Sequence, residues 1–427
     1  MKKVRSFFTL ENMAYLLVTL YALKYTVTTP AIYFPDSAGY LNMTIFRTCG
    51  YPLFVAAHKM LFGSYFESGI IATQFILNVT GALFLIRSVR KSIELNKWLL
   101  VALYAILLFP IFLGILTANT ILSEGLAYPL YLFIIGNMLL AVASKRSNYF
   151  YYALMLAFVL ILVRGQFLFL IPFIIIAIIL AYYKSFFKWK SVLLVLTAIS
   201  IPVLSIFTDI IFHKIQHHHT VTTPLTGIQI IAIPFYISHE NDYIAFESKE
   251  QQEYFKFVYA RLSEKKLLSS QLTPAIDPVD FFFDNYVPIC NETISVDAMN
   301  QFYHDKPIEE QFIGNDKMTS AMTLPLIKHN FKAWFRMYFG NFTKGFDTSK
   351  YFLLYVILLL LAIINFIKKE DYLSKIIILL ILLPIGNSAI IALAEATIGR
   401  YTFYNNWVLF LIFFILFQDR FYSKSND

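Results

Sequence analysis

Charge is what this chain is short of. Asp, Glu, Lys and Arg make up 15% of its 427 residues, where soluble globular proteins carry about 25%. A soluble globular fold is excluded on that ground. Cysteine is nearly absent: Cys49 and Cys290 are the only two, and no CxxC pair exists to build a zinc ribbon. There is no GxGxxG fingerprint and no P-loop, so dinucleotide-binding and ATPase readings have no support. No HExxH spacing occurs, and three consecutive histidines, His217, His218 and His219, cannot easily converge on one ion. They read as an exposed loop. No repeat of 20 to 50 residues is visible. The first apolar segment lacks a small-x-small exit site and contains Glu11, Asn12 and Lys24, so it is expected to stay as a signal anchor.

What is present is apolar. Hydrophobic residues are 58% of the chain, aromatics 18%, and the mean hydropathy is +0.63. Apolar runs recur, and about 18 residues suffice to cross a bilayer as a helix. The expected fold is an all-α polytopic membrane protein of ten spans, near 7–25, 68–87, 98–117, 121–143, 149–163, 167–183, 191–212, 351–367, 376–394 and 403–418. With Lys2, Lys3 and Arg5 inside, every even-numbered span exits to a basic connection: Arg87, Arg90, Lys91 and Lys97; Lys145 and Arg146; Lys184, Lys188 and Lys190; Lys368, Lys369 and Lys375; Arg420 and Lys424. Such alternation is the positive-inside pattern. It accounts for the net charge of +8 without a nucleic-acid partner. Both termini are then cytoplasmic. The Ile-, Phe- and Lys-rich composition hints at a bacterial cytoplasmic membrane.

The extracytoplasmic side holds a first loop at 26–67, a tight turn at 118–120, a break at Arg164-Gly165-Gln166, a large segment at 213–350 and a link at 395–402. The domain division is a module at 1–212, a loop domain at 213–350 and C-terminal spans at 351–427. The large segment carries 16 of the 27 acidic residues and is expected to fold as a small mixed domain outside the membrane. Its end, HNFKAWFRMYFGNFTKGF, alternates aromatic and basic residues. It suits a helix lying in the headgroup layer, or an ordinary lead-in to span eight. The fifth span is short: fifteen residues rise about 22 Å against a core of about 30 Å. The break after it is therefore a candidate cavity lining.

Ionisable residues at one membrane face are costly unless paired or functional. The topology gathers Asp36, Arg47, His58, Glu67, Glu124, Arg164, Glu395 and Arg400 there. Asp36, in PDSAGY, reads as a general base or as a helix N-cap. Arg47 reads as a phosphate or loop contact, or as an interfacial Arg reaching to headgroups. Glu124, after Ser123 in NTILSEGLAYPL, is a second acid that positions an acceptor or a metal, or a carboxylate drawn to a helix N-terminus. Arg164 fits a phosphate with its forked donors, or an ion pair with Glu124 or Asp36. Arg400, in EATIGRYTFYNNW, is a headgroup or phosphate clamp beside Glu395, or an anchor in the aromatic belt. Cys49 and Cys290 fall on the same side, where a disulfide can persist.

The first outer loop, with Asp36, Ser37 and Tyr40 followed by Arg47 and Gly50-Tyr51-Pro52, resembles the GT-C superfamily of membrane glycosyltransferases. Protein O-mannosyltransferases and the aminoarabinose transferases that modify lipid A are similar in this layout. Ser123-Glu124 opening span four, Arg164 between spans five and six, and a large outer loop after span seven also fit. The likeness covers the first 215 residues well and the remainder only in plan. It implies a polyprenyl-phosphate sugar donor, a glycan, lipid or protein acceptor, and a catalytic Asp that maps to Asp36, with Glu124 as a second acid. Arg164, Arg400 and Arg47 would hold the donor phosphate; Ser37, Tyr40 and Glu395 would position substrate. No cofactor is expected. Some of the family use a divalent metal such as Mg or Mn, but no separate DxD motif stands in the outer loops.

Two other classes compete. A transporter or lipid-linked-sugar flippase calls for polar groups near the midplane and paired, interrupted helices, whereas the ionisable groups here gather at one face. An assembly protein would use the large loop for partners.

Overall fold

A computed structural model describes residues 9–112 and 114–422, without the side chains of 419–422. The expected topogenic charges Lys2, Lys3, Arg5 and Lys424, and the side chain of Arg420, lie outside these. The α-helices of seven or more residues are α1 (Leu10–Thr28), α2 (Pro35–Leu41), α3 (Gly50–Phe62), α4 (Phe66–Ile93), α5 (Lys97–Phe112), α6 (Ser123–Ser144), α7 (Ser147–Val163), α8 (Leu170–Tyr182), α9 (Trp189–His217), α10 (Lys249–Glu264), α11 (Pro278–Asp284), α12 (Ile308–His329), α13 (Phe331–Lys344), α14 (Ser349–Lys369), α15 (Tyr372–Ala394) and α16 (Asn406–Tyr422). Among the described residues no strand forms; one isolated bridge pairs Ile32 with Thr120.

Seven helical runs among the described residues are long and apolar enough to cross a membrane: Gly50–Ile93, Ser123–Ser144, Gly165–Ser185, Trp189–His217, Ser349–Lys369, Tyr372–Ala394 and Gly399–Gln418. The protein is an all-helical chain of membrane-spanning character. The other three expected spans are helical as α1, α5 and α7. The 16 residues of α5 and 17 of α7 rise only about 24–26 Å. Several boundaries differ from the sequence reading, α4 ending at 93 rather than 87 and α9 at 217 rather than 212; two more have a visible cause. The second span begins at Gly50 rather than 68, because α3 runs into α4 through a 3₁₀ turn at Gly63–Tyr65. The third stops at Phe112 rather than 117, where the chain turns through Gly114 (φ 69°) and Leu116 (φ 54°).

The chain divides into two units. The first comprises 1–208, 355–386 and 403–427; the second 209–354 and 387–402. In the first, α6 is the central helix: 83% of its apolar window is buried, as expected of a helix that is hydrophobic all round. Its neighbour α4 contributes the polar seam. Gln74 and Asn78, one turn apart and both fully buried, face the turn before α6. The Gln74 carboxamide donates towards the carbonyls of Ala118 (2.9 Å), Thr120 (3.0 Å) and Thr117 (3.4 Å), and accepts from the Tyr51 hydroxyl (3.1 Å). Asn78 accepts from the Thr117 hydroxyl (3.2 Å). Asn119 donates to the carbonyls of Thr26 (2.9 Å) and Thr29 (2.7 Å) at the end of α1. Ile32 then binds both ways, its amide to Asn119 (2.9 Å) and its carbonyl from the Ile121 amide (3.0 Å). Backbone turns inside apolar packing must find such partners, and these tie the loop before α2 to the start of α6.

The second unit is helical. In α10 the buried Tyr254, Phe255, Val258 and Leu262 recur at helical spacing, and they join Phe235, Ile289, Ile294, Leu326 and Met337 in one apolar core. Buried amides are satisfied here too: Tyr254 donates to Asn315 (2.6 Å), which donates to the Ile294 carbonyl (3.0 Å). The histidines correct the exposed-loop reading in part. His217 ends α9, is half-buried, and meets Glu309 at 2.7 Å; His219 lies 3.6 Å from the same carboxylate. Cys49 and Cys290 are both buried thiols, so the disulfide considered from sequence is not made. Each sits in its own core, Cys290 donating to the Ile228 carbonyl at 3.5 Å.

Replacing Gln74 by Leu keeps the volume but strands several buried partners. A loss of about 2–3 kcal/mol is expected, read as a lowered unfolding midpoint in detergent. An unchanged midpoint contradicts the role given to this side chain.

Candidate active site

The first unit brings six sequence candidates together. Pro35 starts α2 with its φ already helical, and the buried Ser37 hydroxyl accepts from the Phe34 amide at 2.9 Å. Ser37 is therefore the capping group. Asp36 stands beside it in the first turn, not at the N-cap, where a carboxylate is favoured by the helix dipole. Its Oδ1 accepts from Arg47 Nη2 at 2.7 Å. Arg47 is thus an ion-pair partner and not a free arm reaching to headgroups. Its guanidinium lies 4.6 Å from the centroid of the Tyr40 ring, a cation–π distance.

This fit depends on a missing side chain. A Cβ at Gly39 would lie 2.7 Å from Arg47 Nε, so any larger residue drives the guanidinium away. Gly50 does the same for the next contact. A Cβ there would meet the backbone of Leu162 and Val163 at 2.6–2.7 Å. Bare backbone lets α3 press against the last turn of α7, and Thr48 donates to the Val163 carbonyl at 3.3 Å. The residue that follows is Arg164.

Arg164 ends α7 with extended backbone, φ −157° and ψ 114°. Its Nη1 is 2.8 Å from Glu124 Oε1, and Glu124 is fully buried. Its Nε donates to Gln166 at 2.7 Å. Ser123 stands between the two ion pairs. Its hydroxyl is 3.0 Å from Tyr40 Oη, 3.2 Å from Arg164 Nη1 and 3.3 Å from Glu124 Oε2. A hydroxyl has one proton to give and two lone pairs. Arg164 and Glu124 fix the pattern: the hydroxyl accepts from Arg164, donates to Glu124, and accepts from Tyr40. A continuous chain results, from Asp36 through Arg47, Tyr40 and Ser123 to Glu124 and Arg164.

The two carboxylates differ in access. The Asp36 side chain is 32% exposed and that of Glu124 is 0%. Only Asp36 can meet an incoming hydroxyl without rearrangement. Glu124 instead fixes Arg164, whose side chain keeps 13% exposure. Sequence reasoning named Ser123 only as Glu124's neighbour, and it missed Gln74, Asn78 and Gly39. Gln74 and Asn78, four apart in an apolar run, were a readable signal of one polar helix face.

Glu395 and Arg400 belong to the second unit. Glu395 accepts from Gln229, and its carbonyl accepts from Asn341 at 2.8 Å. The Arg400 guanidinium lies 5.7 Å from the Tyr401 ring centroid. Among the described residues, no three His, Cys, Asp or Glu side chains are grouped to hold a metal ion.

A double-mutant cycle tests the buried pair. Glu124→Gln and Arg164→Gln should each cost about 3–5 kcal/mol, because each leaves a buried charge uncompensated. The double variant should cost clearly less than their sum, measured by unfolding in detergent; strict additivity contradicts the coupling. Comparison of the chain with family models, with curated proteins and with solved structures finds no match.

Proposed function

We propose that the protein is an integral-membrane glycosyltransferase that moves a sugar from a polyprenyl-phosphate donor to a hydroxyl or amine of an envelope glycan, lipid or protein, on the extracytoplasmic side. The observation that carries this reading is the pair of linked ion pairs: an accessible carboxylate held by one arginine, and a partly exposed arginine held by a buried carboxylate.

The chemistry follows from that asymmetry. Asp36, oriented by Arg47, takes the proton of the acceptor as its oxygen or nitrogen attacks the anomeric carbon. The bond from that carbon to the phosphate oxygen breaks, and its electron pair leaves with the polyprenyl phosphate. The phosphate changes from a singly charged diester to a more highly charged monoester. Arg164 faces that developing charge, held in place by Glu124 and Gln166. A positioned charge of this kind is worth roughly a hundredfold or more in rate. The acceptor attacks from the side opposite the leaving phosphate, so the sugar inverts. In this reading Glu124 positions Arg164 and is not itself a base. Ser37 positions Asp36 through the helix start, and Tyr40 relays between the two pairs. Arg47 serves Asp36 first.

Two variants test the reading with purified protein and a polyprenyl-phosphate sugar. Asp36→Asn should bind donor normally and lose about 10²–10⁴-fold in turnover, the usual share of a general base. Near-normal turnover there rejects the assignment. Gly39→Ala removes no charged group, yet it should lower turnover by displacing Arg47, with donor binding intact. Full activity would mean that the Asp36–Arg47 contact is dispensable.

A further inference from the structure

Helix α13 presents an unusual surface. Phe331, Phe335 and Phe339 recur every four residues and are 58%, 50% and 45% exposed. Lys332 and Arg336, each one position further on, are also exposed. Neither is ion-paired among the described residues, whereas Lys344 at the helix end pairs with Asp280. The helix sequence, FKAWFRMYFGNFTK, contains no acidic residue. The opposite face is committed to the unit's own packing: Met337 and Asn341 are buried.

Three benzyl groups in a row facing water are unfavourable, at roughly 25 cal/mol for each Å² of apolar surface exposed. A cationic edge beside an aromatic stripe matches the boundary between acyl chains and anionic headgroups. The position of the helix supports that environment. Only Gly345 to Thr348 separate it from α14, an apolar run with mean hydropathy 2.4 of which only 11% is buried. Phe352 in the first turn of α14 contacts Phe339, Phe342 and Phe346, with centroids 5.9, 5.4 and 5.2 Å away. The stripe is thereby packed against the first turn of a helix long and apolar enough to cross a membrane.

We infer that α13 is a membrane-surface anchor selective for anionic phospholipid, with Phe331, Phe335 and Phe339 in the acyl boundary and Lys332 and Arg336 on the headgroup phosphates. The occupant of this face is the bilayer itself. The inference stands independently of the transferase reading, since it uses no residue of that site.

A nitroxide on Phe335→Cys tests it in the full-length protein. The native thiols do not interfere: both are buried, and burial pushes the Cys290 thiol up to about 12. The protein is placed in nanodiscs of phosphatidylcholine with or without phosphatidylglycerol. With phosphatidylglycerol, the label should be more accessible to oxygen than to a water-soluble nickel chelate. Lys332→Gln/Arg336→Gln should shift it towards the chelate, because each basic residue near an anionic surface is worth roughly a fivefold shift in such an equilibrium. A label open to the chelate in both lipids overturns the inference. So does one shielded from both reagents, which would mean that protein covers the stripe. Oxygen exposure that ignores phosphatidylglycerol and the charge-removing variant overturns the anionic selectivity.

Discussion

A guanidinium and a carboxylate buried together among apolar helices cannot both be charged unless each completes the other. That constraint governs the first unit. Glu124 is fully buried and Arg164 partly so, and they meet at 2.8 Å. Pairing alone does not recover the desolvation of two ions; further hydrogen bonds must take up the remaining lone pairs and protons. Ser123, Gln166 and Tyr40 supply them. The same demand reaches outward. Ser123 opens α6 directly after the 117–121 turn, and that turn is held by Gln74, Asn78 and the Ile32 backbone. Loop, turn and ion pair are one connected polar system inside an apolar shell, and a half-satisfied network of this kind would be worse than none.

This arrangement separates the acids by role in a way that charge alone could not. Two carboxylates near one face read equally well as a catalytic pair. Burial divides them: one is partly open and held by an arginine, the other is closed and holds an arginine. The proposed chemistry uses that division, with proton transfer at the open acid and charge stabilisation at the arginine that the closed acid fixes. A buried pair is weak evidence of stability, and intramembrane ionisable groups more often mark function; the design is better suited to holding Arg164 still than to strengthening the fold.

Much of the helical plan was legible because apolar length is a strong signal. The long runs that became α6, α9, α14 and α15 lie within a few residues of where hydropathy put them. Boundaries failed where a turn needed a special backbone, as at Gly114 and Leu116, or where a segment read as loop held a helix, as at Gly50–Phe62. At the site, Asp36, Glu124 and Arg164 stood out because charge is rare in this chain. Their partners did not. Arg47 reaches Asp36 eleven residues back, a path that no periodicity predicts. Ser123 looks like any helix-opening serine. Gly39 matters only because Arg47 lies over it, a fact of packing. The neutral amides Gln74 and Asn78 pass as tolerated polar residues until the unsatisfied carbonyls opposite them are counted.

The central claim is that a lipid-linked sugar is consumed here. The most direct measurement is lipid and glycan analysis of cells lacking the protein. A polyprenyl-phosphate sugar should accumulate beside an envelope glycan or glycoconjugate short of one residue, and restoring the protein should reverse both. An unchanged lipid-linked sugar pool with complete glycans would contradict the account.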